Sequence, residues 1–176
     1  MFLHQPEGNP PNARPLTAYL SAIPEGREGI AITLKFMRQL TNIYKKVPAI
    51  RQQALDLISD LDSKNYVGEI KRIHRFVRDE IRYVRDITNV ETIITPDRLL
   101  QIRMGDCDDK VLLLNTLLES IGVPTRSVAI AFKPGEFEHV LSEAKIGDRW
   151  FALETTEPVE VGWYPNRVVE RLVMYN

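Results

Sequence analysis

Apolar side chains recur along the first part of the chain at the three-to-four-residue spacing of amphipathic helices. Between Thr33 and Leu61 two such stripes follow each other, and each would cover one side of a helix. Pro48 lies between the stripes and predicts a break, since the residue before a proline avoids the helical conformation. A third helix is predicted from Val67 to Glu80. The next residues, Ile81–Val84, fit either the end of that helix or a short strand.

A short helix and a longer one are predicted on either side of Gly105. Thr95 fits the N-cap of the short helix and Pro96 its first position, where no backbone donor is needed. We expect Gly105 to end this helix in a left-handed conformation. Asp106 is then the N-cap of the long helix, whose apolar pattern continues until Gly122–Pro124 end it.

Beyond these helices, β-branched and aromatic residues alternate loosely with polar ones, which predicts strands. The predicted strands are 127–133, 137–146 and 149–154. Gly147–Asp148 suits a two-residue hairpin turn between the last two, and from Trp163 onward we expect an extended closing segment. Helices followed by an antiparallel sheet make the predicted fold class α+β, with the long helix packed on the sheet.

The length of 176 residues fits one domain of ordinary size. Five of the 11 prolines lie within the first 24 residues, where their fixed φ and missing donors favour an irregular or extended chain. We therefore predict a Pro-rich N-terminal arm over residues 1–30 and a folded domain over residues 31–176.

The near-balance of charge argues against several kinds of partner. Lys and Arg number 23, Asp and Glu number 24, and the net charge is −1, so no overall basic field attracts nucleic acid or an anionic membrane. The apolar runs are much shorter than a membrane span, and the N-terminus lacks the features of a secretory signal. We predict a cytoplasmic protein without a membrane partner and leave its oligomeric state open.

One basic stripe keeps a nucleic-acid partner under consideration. A phosphate-binding surface fits this stripe, and so does a solvated flank balanced by nearby acidic residues. The net charge favours the solvated flank. The stripe lies beside the apolar face of the third helix and comprises Lys71, Arg75, Arg78, Arg82 and Arg85.

The single cysteine, Cys107, excludes an intramolecular disulfide and a multi-thiolate metal site, and we predict no metal and no cofactor. At the start of the long helix, outward-pointing N–H groups and the helix dipole favour an anion, which lowers a thiol pKa and makes a nucleophile. Two observations oppose this. Cys107 shares the apolar face of its helix, as a small core residue would, and Asp106, Asp108 and Asp109 carry like charge. Both interpretations stay open on these residues.

A thiol nucleophile needs a base, and the chain has three histidines. His4 lies in the predicted arm. His74 lies at the edge of an apolar helix face, where a structural or exposed role is expected. If Gly147–Asp148 is a hairpin turn, directly opposed residues point to the same side, and His139 and Glu154 become diagonal neighbours with Cβ atoms about 6–8 Å apart. A single bulge would reverse this parity.

Four segments of the sequence, taken together, resemble the transglutaminase-like superfamily, a branch of the papain-like cysteine-protease fold. The resemblance extends over about Val67–Thr156 and keeps the order cysteine, histidine, acid. Glu91–Pro96 and the acidic run around the cysteine are similar to the small bacterial and prophage members. The four segments are Gly105–Asp109, Gly122–Arg126, Glu138–Val140 and Trp150–Thr156.

The resemblance implies a papain-like core in which Cys107 is the nucleophile, His139 the general base and Glu154 the acid that orients the histidine. Glu154 stands where the family usually has aspartate, which is one methylene shorter. The implied activity is thiol-dependent acyl transfer on a protein or peptide substrate. Hydrolysis of an amide or peptide bond is expected rather than transfer to an amine, because the chain is small.

The alternative is a catalytically weak or inactive member with a binding or assembly role, in a phage or prophage particle. The glutamate, the acidic neighbours of the cysteine and the Pro-rich arm favour this alternative. For an active member, the backbone N–H of Cys107 is the expected oxyanion donor. Tyr83 and Trp163 are expected to pack in the core rather than to line a substrate groove.

Overall fold

The first elements of the fold are strand β1 (Thr17–Leu20) and helix α1 (Gly26–Tyr44). The computed structural model describes residues 17–20, 24, 26–85 and 91–176, so most of the predicted arm, including His4, lies outside the described residues. Helix α1 begins at Gly26, and the expected start near Thr33 is therefore wrong. Its apolar stripe extends further back than predicted, because Ile30 packs against the same core cluster as Leu34.

Two further helices follow as the sequence predicts, α2 (Pro48–Ile58) and α3 (Tyr66–Glu80). Pro48 occupies the start of α2, and Val47 before it is extended, which confirms the predicted break. The side chain of Asn65 caps α3 by accepting a hydrogen bond from the backbone N–H of Gly68 at 3.0 Å. The apolar face of α3 is buried.

Four short elements connect α3 to the long helix. Three of them are strands that form two small sheets. Strand β3 (Glu91–Ile94) pairs antiparallel with β1, and β2 (Arg82–Tyr83) pairs parallel with β4 (Met104–Gly105). Of the two conformations that fitted the chain after α3, the strand is the one observed. The fourth element is helix α4 (Pro96–Ile102).

Helix α4 was expected to end at Gly105, but it ends at Ile102 and Arg103 is its C-cap. Arg103 adopts the left-handed conformation with φ 56°, and Gly105 lies in β4 opposite Tyr83. Glycine is needed at position 105 for space, since a Cβ there would lie 2.7 Å from a carboxylate oxygen of Asp109. The close approach of this side chain, and not the end of a helix, explains the glycine.

Helix α5 (Cys107–Ser120) is the central element of the fold. Nearly all of its side chains are buried, because it contacts α1, α2, α3 and α4 as well as strands β5 and β6 of the main sheet. Its apolar residues join two core clusters, one shared mainly with α2 and α3 and one shared with α1. The N-terminus of α5 is thereby held in one place by the whole domain.

The main sheet has four antiparallel strands. Their order across the sheet is β7 (Arg149–Leu153), β6 (Glu136–Ile146), β5 (Thr125–Lys133) and β8 (Glu170–Tyr175). Ile146 pairs with Arg149, which confirms the predicted hairpin at Gly147–Asp148, and the α+β fold class is confirmed as well. The register shifts in this sheet lie between β5 and β6, so the parity between β6 and β7 is kept.

None of the described helices, all of which lie between residues 26 and 120, is long and apolar enough to cross a membrane.

Candidate active site

The segment that carries Cys107 is fixed by a reciprocal cap at the start of α5. The Asp106 side chain accepts a hydrogen bond from the Asp109 backbone N–H at 3.2 Å, and the Asp109 side chain accepts one from the Asp106 backbone N–H at 3.2 Å. Asp109 also accepts a hydrogen bond from the Ile94 N–H at 2.7 Å. This buried carboxylate therefore joins β3 to the helix start. Burial and the nearby Asp106 raise the pKa of Asp109 to about 8.

The thiol of Cys107 is partly exposed and faces groups of opposite effect. It donates a hydrogen bond to Asp108 Oδ1 at 3.6 Å, and it accepts one from the backbone N–H of Val140, the residue after His139. Burial, Asp108 and Asp106 together raise the thiol pKa well above its usual value, and the Val140 N–H lowers it only in part. Burial, followed by the charges of Asp108 and Asp106, thus sets the direction of the pKa shift, and the resting thiol keeps its proton.

His139 and Glu154 form the hydrogen bond that the hairpin parity predicts. His139 Nε2 lies 2.7 Å from Glu154 Oε2. The other carboxylate oxygen of Glu154 accepts hydrogen bonds from the backbone N–H and the hydroxyl of Thr156, both at 2.7 Å. Burial alone would raise the pKa of Glu154, but the hydrogen bonds from His139 and Thr156 outweigh it and lower the pKa. The buried carboxylate is therefore an anion with three donors.

His74 contacts the candidate site, although its place in the sequence predicted only a structural or exposed role. This histidine on α3 is fully buried, and its Nε2–H donates to the backbone carbonyl of Glu154 at 2.5 Å. Its buried Nδ1 has no hydrogen-bond partner among the described residues, and burial lowers the pKa of the ring. A neutral His74 thus holds the main chain that carries the acid. A polar ring beside an apolar helix face was the only signal in the sequence.

Lys110 is a second residue that the sequence analysis missed. It is 2% exposed and lies one helical turn after Cys107. Its ammonium group donates to the carbonyls of Arg78 at 3.1 Å and Ile81 at 2.7 Å, which closes the end of α3. Burial lowers the pKa of Lys110 to about 8, against the attraction of Glu154 and Asp79. A lysine inside the apolar run of α5 was the available signal.

Two aromatic residues expected in the core are exposed. Tyr83 is 44% exposed and Trp163 is 38% exposed, so both expectations are wrong. Trp163 lines a cavity of about 290 Å³ together with His139 and Glu154. The segment after Glu154 turns away from the sheet before β8, and this turn carries Trp163 to the site.

The basic stripe of α3 binds other parts of the protein. Arg75 pairs with Glu160 at 2.9 Å, and Arg78 pairs with Asp79 at 2.6 Å. Arg78 also donates to the backbone carbonyl of Val159 at 2.5 Å. Arg75 and Arg78, in the middle of the stripe, therefore have a structural role, because they hold the segment after Glu154 against α3.

Within residues 26–85 and 91–176, no three of the histidine, cysteine, aspartate and glutamate side chains are grouped so that they could hold a metal ion.

Comparisons with known proteins identify the family to which the chain is similar. The family model of the transglutaminase-like superfamily matches residues 51–155. A comparison with curated proteins found no match.

Several solved structures share the fold at low sequence identity. A candidate protease from Parabacteroides distasonis has a TM-score of 0.55 at 15% identity, over 70% of this chain and 26% of its own. A candidate cysteine protease from Cytophaga hutchinsonii has a TM-score of 0.51 at 18% identity, over 76% of this chain and 48% of its own. Calcium-bound LapG from Legionella pneumophila has a TM-score of 0.47 at 16% identity, over 69% of this chain and 73% of its own. The chain thus spans about a quarter of the length of the Parabacteroides protein and about half of the length of the Cytophaga protein.

Proposed function

The chain belongs to the transglutaminase-like superfamily, and from this premise we propose that it is a thiol-dependent acyl-transfer enzyme that hydrolyses an amide bond in a protein or peptide. One observation carries the proposal. The His139–Glu154 pair is formed at 2.7 Å, and the Cys107 sulfur lies against the backbone of Val140, next to that histidine. A nucleophile, a base and a residue that orients the base are the groups that such a reaction needs.

The protonation states favour general-base catalysis over a preformed thiolate. In the neutral imidazole, the hydrogen bond to the Glu154 carboxylate keeps the ring proton on Nε2, so Nδ1 has the free lone pair. When the Cys107 sulfur attacks the substrate carbonyl, the thiol proton passes to Nδ1 and a bond forms between sulfur and carbon. The imidazolium then gives this proton to the leaving amine as the carbon–nitrogen bond breaks. In the second half, His139 takes a proton from water and the water oxygen bonds to the thioester carbon. The sulfur–carbon bond then breaks, and the imidazolium returns the proton to the Cys107 sulfur.

The start of α5 supplies the stabilisation of the oxyanion. The backbone N–H of Cys107 belongs to the first helical residue, where N–H groups point out of the helix and the dipole favours negative charge. An oxygen anion that forms beside the sulfur would accept a hydrogen bond from this N–H. The reciprocal cap holds the donor in place before substrate binds.

Glu154 fits the role that aspartate usually has in the family. Its longer side chain reaches His139 from a buried position, and Thr156 holds the second oxygen through two hydrogen bonds. The extra methylene is thus accommodated without loss of a partner. Glu154 keeps one tautomer of His139 and stabilises the imidazolium that forms during the reaction.

A digest of a mixed peptide library tests the proposal. We expect the wild-type protein to produce new peptide termini, and Cys107→Ser to produce none, because a hydroxyl is a far weaker nucleophile in this site. Acyl-enzyme on the only cysteine is measured by mass spectrometry of the intact protein. His139→Gln should abolish both signals, while Glu138→Gln, an exposed neighbour on the same strand, should change neither. Cleavage that survives in folded Cys107→Ser would contradict the proposal.

A binding or assembly protein without catalysis is the second candidate. The raised pKa of Cys107 and its carboxylate neighbours favour it, because both oppose a reactive thiol. The same digest separates the two, since a binding protein yields neither new termini nor acyl-enzyme. Addition of a primary amine to the digest distinguishes transfer from hydrolysis by the mass of the product. A cytoplasmic or phage-particle location stays a prediction from the sequence.

A further inference from the structure

An apolar cavity of about 290 Å³ opens beside the His139–Glu154 pair. Its size is near the lower end of small-molecule sites, which hold ligands of many atoms in about 300–1,000 Å³. A space of this volume suits one large side chain of a peptide. The residues that form its apolar walls are Phe132, Val159, Trp163 and Pro165.

Two aromatic side chains of this cavity reach the surface. Phe132 is 37% exposed and Trp163 is 38% exposed, so part of each apolar ring is available to a ligand. They come from different parts of the chain, one from the end of β5 and one from the segment before β8. Exposed apolar surface that converges next to polar, functional groups is typical of a binding site.

The cavity walls are held before any ligand binds. Arg78 donates to the Val159 carbonyl at 2.5 Å, and its side chain also pairs with Glu160 at 3.4 Å. The Trp163 backbone N–H donates to the Glu160 carbonyl at 3.2 Å, and the N–H of Gly162 donates to Ala152 at 2.8 Å. These bonds fix the Trp163 segment to α3 and β7. A preformed cavity selects among side chains by shape and polarity.

The position of the cavity identifies the part of the substrate that enters it. The lining includes His139 and Glu154 but not Cys107. The imidazole gives its proton to the leaving amine, so the leaving group must lie on the histidine side of the sulfur. A side chain in this cavity therefore belongs to the residue after the bond that is cut. The exposed carboxylate of Glu157 also lines the cavity and repels an acidic side chain there.

We propose that this cavity binds a large apolar side chain, such as phenylalanine or leucine, on the first residue of the leaving peptide, with Trp163 and Phe132 as the residues that determine specificity. The inference rests on the proposed hydrolase function and adds a substrate class to it. Acidic residues and glycine are disfavoured at the same position.

The test maps cleavage sites in a mixed peptide library by the amino-terminal residue of each new product. For the wild-type protein we expect large apolar residues at that position about tenfold more often than alanine, since apolar pockets discriminate by about 10–200-fold per methylene-sized difference. Trp163→Ala should remove most of this preference and leave the residues before the cut unchanged. Trp150→Ala is the matched control, because Trp150 packs against Arg126 and Tyr175 and does not line the cavity.

The outcomes separate this inference from the function on which it rests. Cleavage that depends on Cys107 but shows no preference after the cut would overturn the cavity assignment and leave the hydrolase proposal standing. An unchanged preference in folded Trp163→Ala would overturn it too. If Trp163→Ala does not fold, Phe132→Ala takes its place with the same expected loss. Absence of any cleavage that depends on Cys107 overturns the function and the cavity assignment together.

Discussion

The two halves of the candidate site are prepared very differently. On the sheet side, Glu154 has three hydrogen-bond donors and a lowered pKa, and it holds His139 in one orientation. On the helix side, Cys107 donates to a carboxylate and has a raised pKa. The proposed base, His139, is therefore oriented by its carboxylate, whereas the proposed nucleophile, Cys107, keeps its proton.

The difference follows from the structural duties of the residues around each half. Of the two carboxylates that raise the thiol pKa, Asp108 and Asp106, Asp106 also caps α5 by accepting a hydrogen bond from the Asp109 N–H. A helix start that is built from carboxylates cannot also be the best place for a thiolate. Catalysis by this site then depends on the proton acceptor, and the sheet side should control the rate.

The largest effect is expected when the anion on the sheet side is removed. Glu154→Gln keeps the shape of the side chain but loses the charge that stabilises the imidazolium, and kcat should fall by about 10⁴-fold, as for the loss of the acid in other triads. Steady-state kinetics on a cleaved peptide measure it. Glu138→Gln serves as the control, and a loss of less than tenfold would mean that the base does not need its acid.

The buried ammonium of Lys110 should give the next largest effect, on stability. Its folded pKa of about 8 lies below the ordinary value of 10.5, so the unfolded chain binds more protons between these values. The free energy of unfolding should therefore rise as pH increases from about 8 to about 10.5, by about 3 kcal/mol in total. Urea unfolding across this range measures it. The rise should be absent from Lys110→Met, and equal slopes in both proteins would refute the lowered pKa of Lys110.

A paired substitution at His74 tests how far the sheet side depends on α3. His74→Leu leaves the Glu154 carbonyl buried without its donor and should lower the free energy of unfolding by about 2 kcal/mol. His74→Gln places an amide N–H at a similar reach and should recover most of this loss. Because His74 Nδ1 has no partner, the leucine variant removes only one hydrogen bond. Equal stability of the two variants in urea would show that the bond contributes little.

The smallest effect is expected on the helix side. Asp108→Asn removes the nearest negative charge and should lower the pKa of Cys107, so that iodoacetamide alkylates the thiol up to about tenfold faster near neutral pH. The rate is followed by mass spectrometry as a function of pH. Asp148→Asn, in the hairpin turn far along the chain, is the control. An unchanged alkylation profile would remove Asp108 from the causes of the raised pKa and leave burial and Asp106.

The parts of the site that depend on local rules could be predicted from the sequence. Hairpin parity paired His139 with Glu154, and the cap of α5 placed Cys107 at its first residue. Both need only the neighbours of a residue along the chain or across one turn. The family resemblance is confirmed by the match over residues 51–155.

The other features of the site could not be predicted from the sequence, because they depend on contacts between residues that are far apart in the chain. His74 lies 80 residues from Glu154 in the chain, and no periodicity connects them. The exposure of Trp163 depends on how the segment after Glu154 is bonded to α3, and Gly105 is explained by a carboxylate that folds back onto it. The raised pKa of the Cys107 thiol depends above all on its burial, which the sequence pattern left open.

The hydrogen bonds from α3 to the acid and to the segment that follows it have a thermodynamic consequence. His74 and Arg78 bond to the main chain at Glu154 and Val159, so local opening of α3 would release the acid and the aromatic wall at once. Backbone amides of α3 and of these segments should then exchange with solvent in one cooperative unit. Heat inactivation and loss of helical structure would share one midpoint, and no folded but inactive intermediate would accumulate between them.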